Sequence, residues 1–345
     1  DRSKKPPAIG VSRSIPQPTV DVSDKQIDAR LPTGESVSVR LYGATVTSWK
    51  LADGEEQLFV SSQAVLDGSK AIRGGIPVVF PDVLHIERRG RIRLIVLGFG
   101  APPSDHATSK LPQHGFARTS TWAFLGKSTS ESDGGTAVKL DFGLSSEMLK
   151  EEVRAAWPYD FGLLYSVILS PEGLETSLQV QNKGNERFDF HVLLHNYFNF
   201  LYASRGFLSK DVDLLILLDV NKIRIKNLQS KSYSDKTDNF AIKEETSSAI
   251  AITGETDRVY LDVDPATPVS VVDADTDKPR LSIVRQGLNT VTVWNPWSDK
   301  AKGMADFADD EYTRMVCVEP GAVKEFQVLD AGETWEGSQI IRARQ

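Results

Sequence analysis

The chain is poor in cysteine, with a single one, Cys317, among 345 residues. One thiol closes no intrachain disulfide and supplies no cysteine-rich zinc site. Cys317 therefore reads as a small buried apolar residue rather than a reactive thiol, and a reducing compartment such as the cytosol is the default. An excess of basic residues is also missing: 40 Lys and Arg against 47 Asp and Glu leave a formal charge of -7. That excludes a general nucleic-acid binder, whose phosphate contacts need a basic surface. A small anionic substrate stays open, because a few local arginines make a positive pocket on an acidic protein. Long apolar runs are absent as well. The longest stretch, around Leu214 to Val220, is short and broken by Asp219, which argues against a membrane partner. Residues 1–19 are charged and rich in proline and serine without the apolar core of a signal peptide, and read as a disordered tail. Residues 20–345 read as a single domain, expected to act as a monomer.

What is present is a period of two. Val37, Val39 and Leu41 alternate with Ser38 and Arg40, as a half-buried strand requires. Tyr165, Val167 and Leu169 repeat the pattern, Ser170-Pro171-Glu172-Gly173 supplies a turn, and Leu174, Thr176, Leu178 and Val180 run back, which predicts a hairpin. After the turn at Asn182 to Asn185 comes a strand over 188–197. Helical signals are few: a short helix capped by Ser145-Ser146 and stopped by Pro158, and another within 299–312. Many short strands divided by Gly, Pro and Asn turns predict an all-β, antiparallel sandwich.

Four segments could carry chemistry. On the 188–197 strand, Phe188, Phe190, Val192 and Leu194 share one face while His191, Leu193 and His195 share the other. Periodicity leaves the two histidines equal candidates. Their spacing of four is a helical ligand spacing, but they lie in a strand pattern without a His-Glu-x-x-His arrangement, so no metal is expected. Glu319 closes an apolar strand before Pro320-Gly321, at a sheet end where sites often form. Arg73 precedes Gly74-Gly75, glycines that would let a ligand approach the backbone. Gln113, His114 and Arg118 lie within six positions, and the planar fork of arginine suits phosphate. The glycine spacing of a phosphate loop or dinucleotide fingerprint is absent.

Taken in order, Leu41-Tyr-Gly-Ala-Thr-Val-Thr-Ser-Trp49, Asp67-Gly-Ser-Lys-Ala-Ile-Arg-Gly-Gly-Ile-Pro-Val-Val-Phe-Pro81, Leu111-Pro-Gln-His-Gly-Phe-Ala-Arg118, Leu194-His-Asn-Tyr-Phe198, Thr253-Gly-Glu-Thr-Asp-Arg-Val-Tyr260, Val293-Trp-Asn-Pro-Trp297 and Val318-Glu-Pro-Gly321 resemble the glucose-6-phosphate 1-epimerases. These form the hexose-6-phosphate mutarotase branch of the aldose 1-epimerase, or galactose mutarotase-like, superfamily. The resemblance spans about residues 20 to 342. Two stretches, about 82–97 and 201–218, interrupt it and read either as lineage insertions or as translated intron sequence.

The resemblance implies an antiparallel β-supersandwich with its site in a concave face, and an isomerase needing no cofactor and no metal. Carried over by position, His195 and Glu319 match the catalytic pair, which decides between His195 and His191. Arg73, Gln113, Arg118 and Asp257 match substrate-binding positions, and His114 lies within the same motif. The implied partner is a small sugar phosphate. Ring opening needs a base at the anomeric hydroxyl and an acid at the ring oxygen, which assigns ionised Glu319 and protonated His195. The competing readings are a non-catalytic carbohydrate-binding sandwich and an epimerase of unphosphorylated aldoses.

Overall fold

The structure, a computed structural model, describes residues 16–82, 107–132, 135–203, 215–217 and 219–344. The expected tail lies outside these residues up to position 15, and its forecast end is corrected: Thr19 already opens the strand Thr19–Val22. Most of the two forecast insertions also falls outside them. Of the second, the ends form short paired strands, Leu201–Ala203 and Leu215–Leu217.

Two large antiparallel sheets dominate. One has nine strands among the described residues, running from Ala249–Ile250 at one edge to Ala123–Ser132 at the other. The forecast hairpin, Phe161–Ser170 with Gly173–Asn182, lies within it and pairs Tyr165 with Leu178. The other sheet orders Ala241–Glu244, Ser232–Asp235, Thr256–Tyr260, Thr290–Asn295, Met315–Leu329, Phe188–Leu194 and Val78–Asp82, with Tyr197–Asn199 also pairing to Met315–Leu329. A smaller sheet of four strands runs from Thr19–Val22 to Thr45–Lys50. One apolar cluster fills the space between the large sheets. It joins Phe190, Val192, Leu194, Val291, Val293, Val316 and Val318 to Val167, Leu169, Leu178, Val180, Ile283 and Ile341. Alternation then sends Cys317, Glu319 and their neighbours to the opposite face of the second sheet.

Three local expectations are corrected. The forecast strand over 188–197 is broken into Phe188–Leu194 and Tyr197–Asn199, because His195 and Asn196 leave the ladder. His195 donates its backbone N–H to Pro77 O at 3.0 Å instead. Pro320-Gly321 is not a turn: the strand Met315–Leu329 runs through it. Proline removes only one ladder donor, and Gly321 admits the neighbouring strand, since a Cβ there would lie 3.0 Å from Val192 O. Ser145 and Ser146 cap no α-helix. They join a strand to a 3-10 turn, Ser146 hydrogen-bonds Asp160 at 2.8 Å, and the α-helix occupies Glu151–Ala156. The helical signal in 299–312 resolves into an α-helix, Trp297–Lys302, and a 3-10 turn, Glu311–Arg314.

Candidate active site

The outer face of the second sheet builds the site strand by strand. Glu319 and Cys317 project from Met315–Leu329, and Thr292 lies directly across from Glu319. On the next strand Asp257 pairs with Trp294, and Lys236 follows the end of Ser232–Asp235. His195 enters from the other side, past Leu194. Loops supply Arg73 and the segment Gln113 to Arg118. All seven residues forecast from the sequence line one cavity of about 270 Å³, together with Lys236, Thr292, Trp294, Lys300 and Met304. That is below the roughly 300–1,000 Å³ of drug-sized pockets, a scale suited to one sugar ring. A larger cleft of about 620 Å³ beside Tyr42 and Arg40 contains no histidine.

The two glycines after Arg73 are not there for a ligand. A Cβ at Gly74 would lie 2.4 Å from Phe59 O, and one at Gly75 would lie 2.1 Å from Val46 O. Both have positive φ, 133° and 70°. They allow backbone to pass over backbone, and so fix the loop that presents Arg73. The same device recurs at His114 (φ 67°) and Gly115 (φ 66°), where a Cβ on Gly115 would meet Phe80 O at 2.4 Å.

His195 Nδ1 lies 3.3 Å from Glu319 Oε1, and both side chains are almost fully buried. The imidazole stacks on Tyr197 at 4.5 Å and 7°, with Trp294 edge-on at 6.2 Å and His114 edge-on at 5.8 Å. Burial, and then His114, Arg118, Arg73 and Lys236, hold His195 well below the usual histidine range. His114 is depressed in the same direction by burial and by the same three cations. This direction runs against the forecast of a protonated His195: with only the protein's own charges around it, burial and the nearby cations favour the neutral ring. Periodicity could not see this, because the depressing charges come from three distant segments.

Arg73 is held from three sides of its fork. Its Nε and Nη2 each reach Asp306 Oδ2 at 3.1 Å, and Nη1 donates to Tyr197 Oη at 3.3 Å. Two residues after Asp306, the Ala308 N–H donates to buried Glu311 at 3.1 Å, which also accepts from Ser61 Oγ at 2.6 Å and from the Ser62 N–H at 2.9 Å. Arg118 donates to Gln113 O at 3.1 Å, which ties the two residues of that motif together. Asp257 faces Lys236, whose Nζ lies 3.0 Å from Oδ1. Burial pushes the Asp257 carboxyl up, and Lys236 opposes the shift. Thr292 Oγ1 is a buried atom without a hydrogen-bond partner, which leaves it acceptor capacity at the cavity wall.

His191 does not join the site. It stacks on Phe326 at 4.0 Å and 11° and does not line this cavity, whereas His195 does. Cys317 is buried and unpaired by disulfide, as expected. Its sulfur nevertheless lies with His195 and Glu319 in a trio whose ligand atoms fall within 4.8 Å of one another. Burial, and next the charge of Glu319, hold the thiol well above its usual range. Lys236, Thr292, Lys300 and Asp306 were missed from sequence. A charge beside a buried strand partner carries no local signature until strand pairing is known.

Comparison with known proteins bears on the family and the fold. A curated relative from Cenchrus ciliaris, bearing the name "Putative glucose-6-phosphate 1-epimerase", is 34% identical over 312 residues, 88% of this chain and 80% of its own. One of the same name from Escherichia coli K12 is 28% identical over 305 residues, covering 88% and 86%. In fold, the chain superposes on a Salmonella typhimurium crystal structure described as "a putative mutarotase (YeaD)", with TM-score 0.69, 24% identity, and coverage of 97% and 96%. A galactose mutarotase-like protein from Clostridium acetobutylicum matches at TM-score 0.63 and 16% identity, covering 95% and 98%. The family model Aldose 1-epimerase matches residues 25–342. With the match spanning every strand that lines the cavity, the chain belongs to the aldose 1-epimerase family.

Proposed function

We propose that this protein interconverts the α and β anomers of hexose 6-phosphates, chiefly glucose 6-phosphate, in the cytoplasm. The observation that carries the reading is an imidazole and a carboxylate 3.3 Å apart in a cavity that also receives two arginines. Sugar binding alone needs no such acid–base couple, which weighs against a purely carbohydrate-binding sandwich. The arginines weigh against an enzyme of unphosphorylated aldoses.

Glu319 takes the proton from the C1 hydroxyl as the C1–O5 bond breaks and the C1 carbonyl forms. His195 delivers a proton to the departing ring oxygen. Rotation about C1–C2 presents the other carbonyl face, and the same two groups reverse roles on closure. Burial depresses His195 most and the surrounding cations add to it, so the cationic part must be offset for the ring to carry that proton. A phosphate dianion seated on Arg73 and Arg118 does so, and raises the imidazole toward the working range. Asp257 and Thr292 accept or share sugar hydroxyl hydrogen bonds.

Exchange NMR between the anomers of glucose 6-phosphate, with free glucose and galactose as controls, tests this. Fast exchange is expected for the phosphate only. Each of His195→Asn and Glu319→Gln should lose about 10²–10⁴-fold, the usual contribution of one positioned acid or base. Wild-type rates in either variant would refute the pair.

A further inference from the structure

We propose that Lys236 is a positioning residue of this site, holding the Asp257 carboxylate ionised and turned to the cavity as an acceptor for a sugar hydroxyl. The inference rests on the substrate reading above. Its starting point is strand register. Asp235 pairs with Arg258 on the antiparallel neighbour, so the next position, Lys236, falls opposite Asp257. The turn that follows is pinned by Asp235 itself. Its carboxylate accepts from the Thr237 N–H at 3.1 Å, Thr237 Oγ1 at 2.6 Å and Lys243 Nζ at 2.8 Å. Asn239 and Phe240, both at positive φ, then turn the chain back. Lys236 is thereby committed to the cavity, where it is one of the lining residues.

The neighbouring lysines are engaged elsewhere. Lys243 pairs with Asp235 and Asp238, and Lys300 pairs with Glu255 at 2.8 Å. The charged and titratable groups that bear on Asp257 are Lys236 from this turn, Lys300 from the helix Trp297–Lys302, Glu255 before its own strand, and Cys317 from the strand beyond Thr290–Asn295. Of the cations, only Lys236 lies in contact with it, at 3.0 Å, and both side chains are mostly buried, 14% and 9% exposed. A carboxylate in such surroundings protonates unless it is paired. Protonated, it gives up acceptor capacity at the point where a sugar hydroxyl would bind.

Four variants decide the matter: Lys236→Met, Lys236→Arg, Asp257→Asn and the double Lys236→Met/Asp257→Asn. Two quantities are read. One is the titration of the Asp257 carboxyl carbon by NMR, assigned through its loss in Asp257→Asn. The other is KM and kcat for glucose 6-phosphate between pH 6 and 8. In Lys236→Met, Asp257 should titrate at higher pH than in wild type. Its KM should rise at pH 6, by up to about tenfold for each unit by which the carboxyl titrates above pH 6, and recover toward pH 8, with the effect concentrated in KM. Lys236→Arg should restore both, and the double variant should bind no worse than Asp257→Asn alone. An unmoved Asp257 titration in Lys236→Met overturns the proposal. So does a pH-independent rise in KM that adds to that of Asp257→Asn, which would make Lys236 a phosphate contact in its own right. If the titration moves but wild type fails to exchange glucose 6-phosphate anomers, the substrate reading falls while the electrostatic role of Lys236 stands.

Discussion

Arg73 carries a charge that many lysines on the surface also carry, but its fork is what the site uses. Nε and Nη2 are taken by Asp306, and Nη1 rests on Tyr197, so the remaining N–H bonds project in a fixed direction. Lysine would keep the charge and lose that alignment. Arg73→Lys should therefore raise KM for glucose 6-phosphate by about tenfold or more, since a charge-assisted hydrogen bond is worth about 1.5–3 kcal/mol. Asp306→Asn should move KM in the same direction by less. Steady-state kinetics on both variants check this, and an unchanged KM in Arg73→Lys would remove Arg73 from the phosphate seat.

At the scale of the element, the site depends on two interruptions of regular structure, one in a strand and one in a loop. At His195-Asn196 the chain leaves the ladder, and Asn196 turns inward. Its amide donates to Val318 O at 2.9 Å and to Gln339 Oε1 at 2.7 Å. Gln339 returns a bond to Asn196 Oδ1 at 2.8 Å and donates to Thr176 Oγ1 at 3.1 Å. This buried amide pair binds the residue after His195 to the residue before Glu319, and joins both to the opposite sheet. Removing one partner strands the other without water, so Asn196→Ala should cost about 1–3 kcal/mol. A double variant with Gln339→Leu should cost less than the two single changes summed. Denaturant unfolding of the three variants gives the coupling. The second interruption is the left-handed pair His114-Gly115. Gly115→Ala should destabilise by at least the ~1–2 kcal/mol that a Cβ pays for left-handed backbone, because it would also strike Phe80 O and Pro81 O, both at 2.4 Å. A melt no lower than that of wild type would contradict the geometry.

For the molecule as a whole, buried titratable groups pull stability in opposite directions with pH. His114 and His195 have depressed affinity for protons in the folded state. Their contribution is complete above the unfolded value near 6.5 and is lost as pH falls toward their folded values. Glu56 and Asp257 are raised, chiefly by burial. Their contribution is present below their unfolded values and is lost as pH rises through the folded ones. Comparison with a variant separates the two. In His114→Asn/His195→Asn, the fall in melting temperature from pH 7 to pH 5 should be shallower than in wild type. An equal or steeper fall would mean that the two rings are not held neutral.

Period-two alternation by itself determined the strands of the hairpin Phe161–Ser170 and Gly173–Asn182, the apolar faces of Phe188–Leu194, and the all-β class, because half-buried strands show their two faces directly in residue type. The ordered motifs determined the family and the residues that share the cavity. Only tertiary structure decided that Pro320-Gly321 continues a strand, that Gly74 and Gly75 serve packing rather than ligand approach, and that Arg73 is aimed by Asp306. It also decided which charges surround His195 and that Lys236 meets Asp257. Each of these depends on which backbone or charge arrives from a remote segment, and alternation along one strand contains no record of its neighbour. Charge acts through space and packing through contact, so both are settled only when the sheets are assembled.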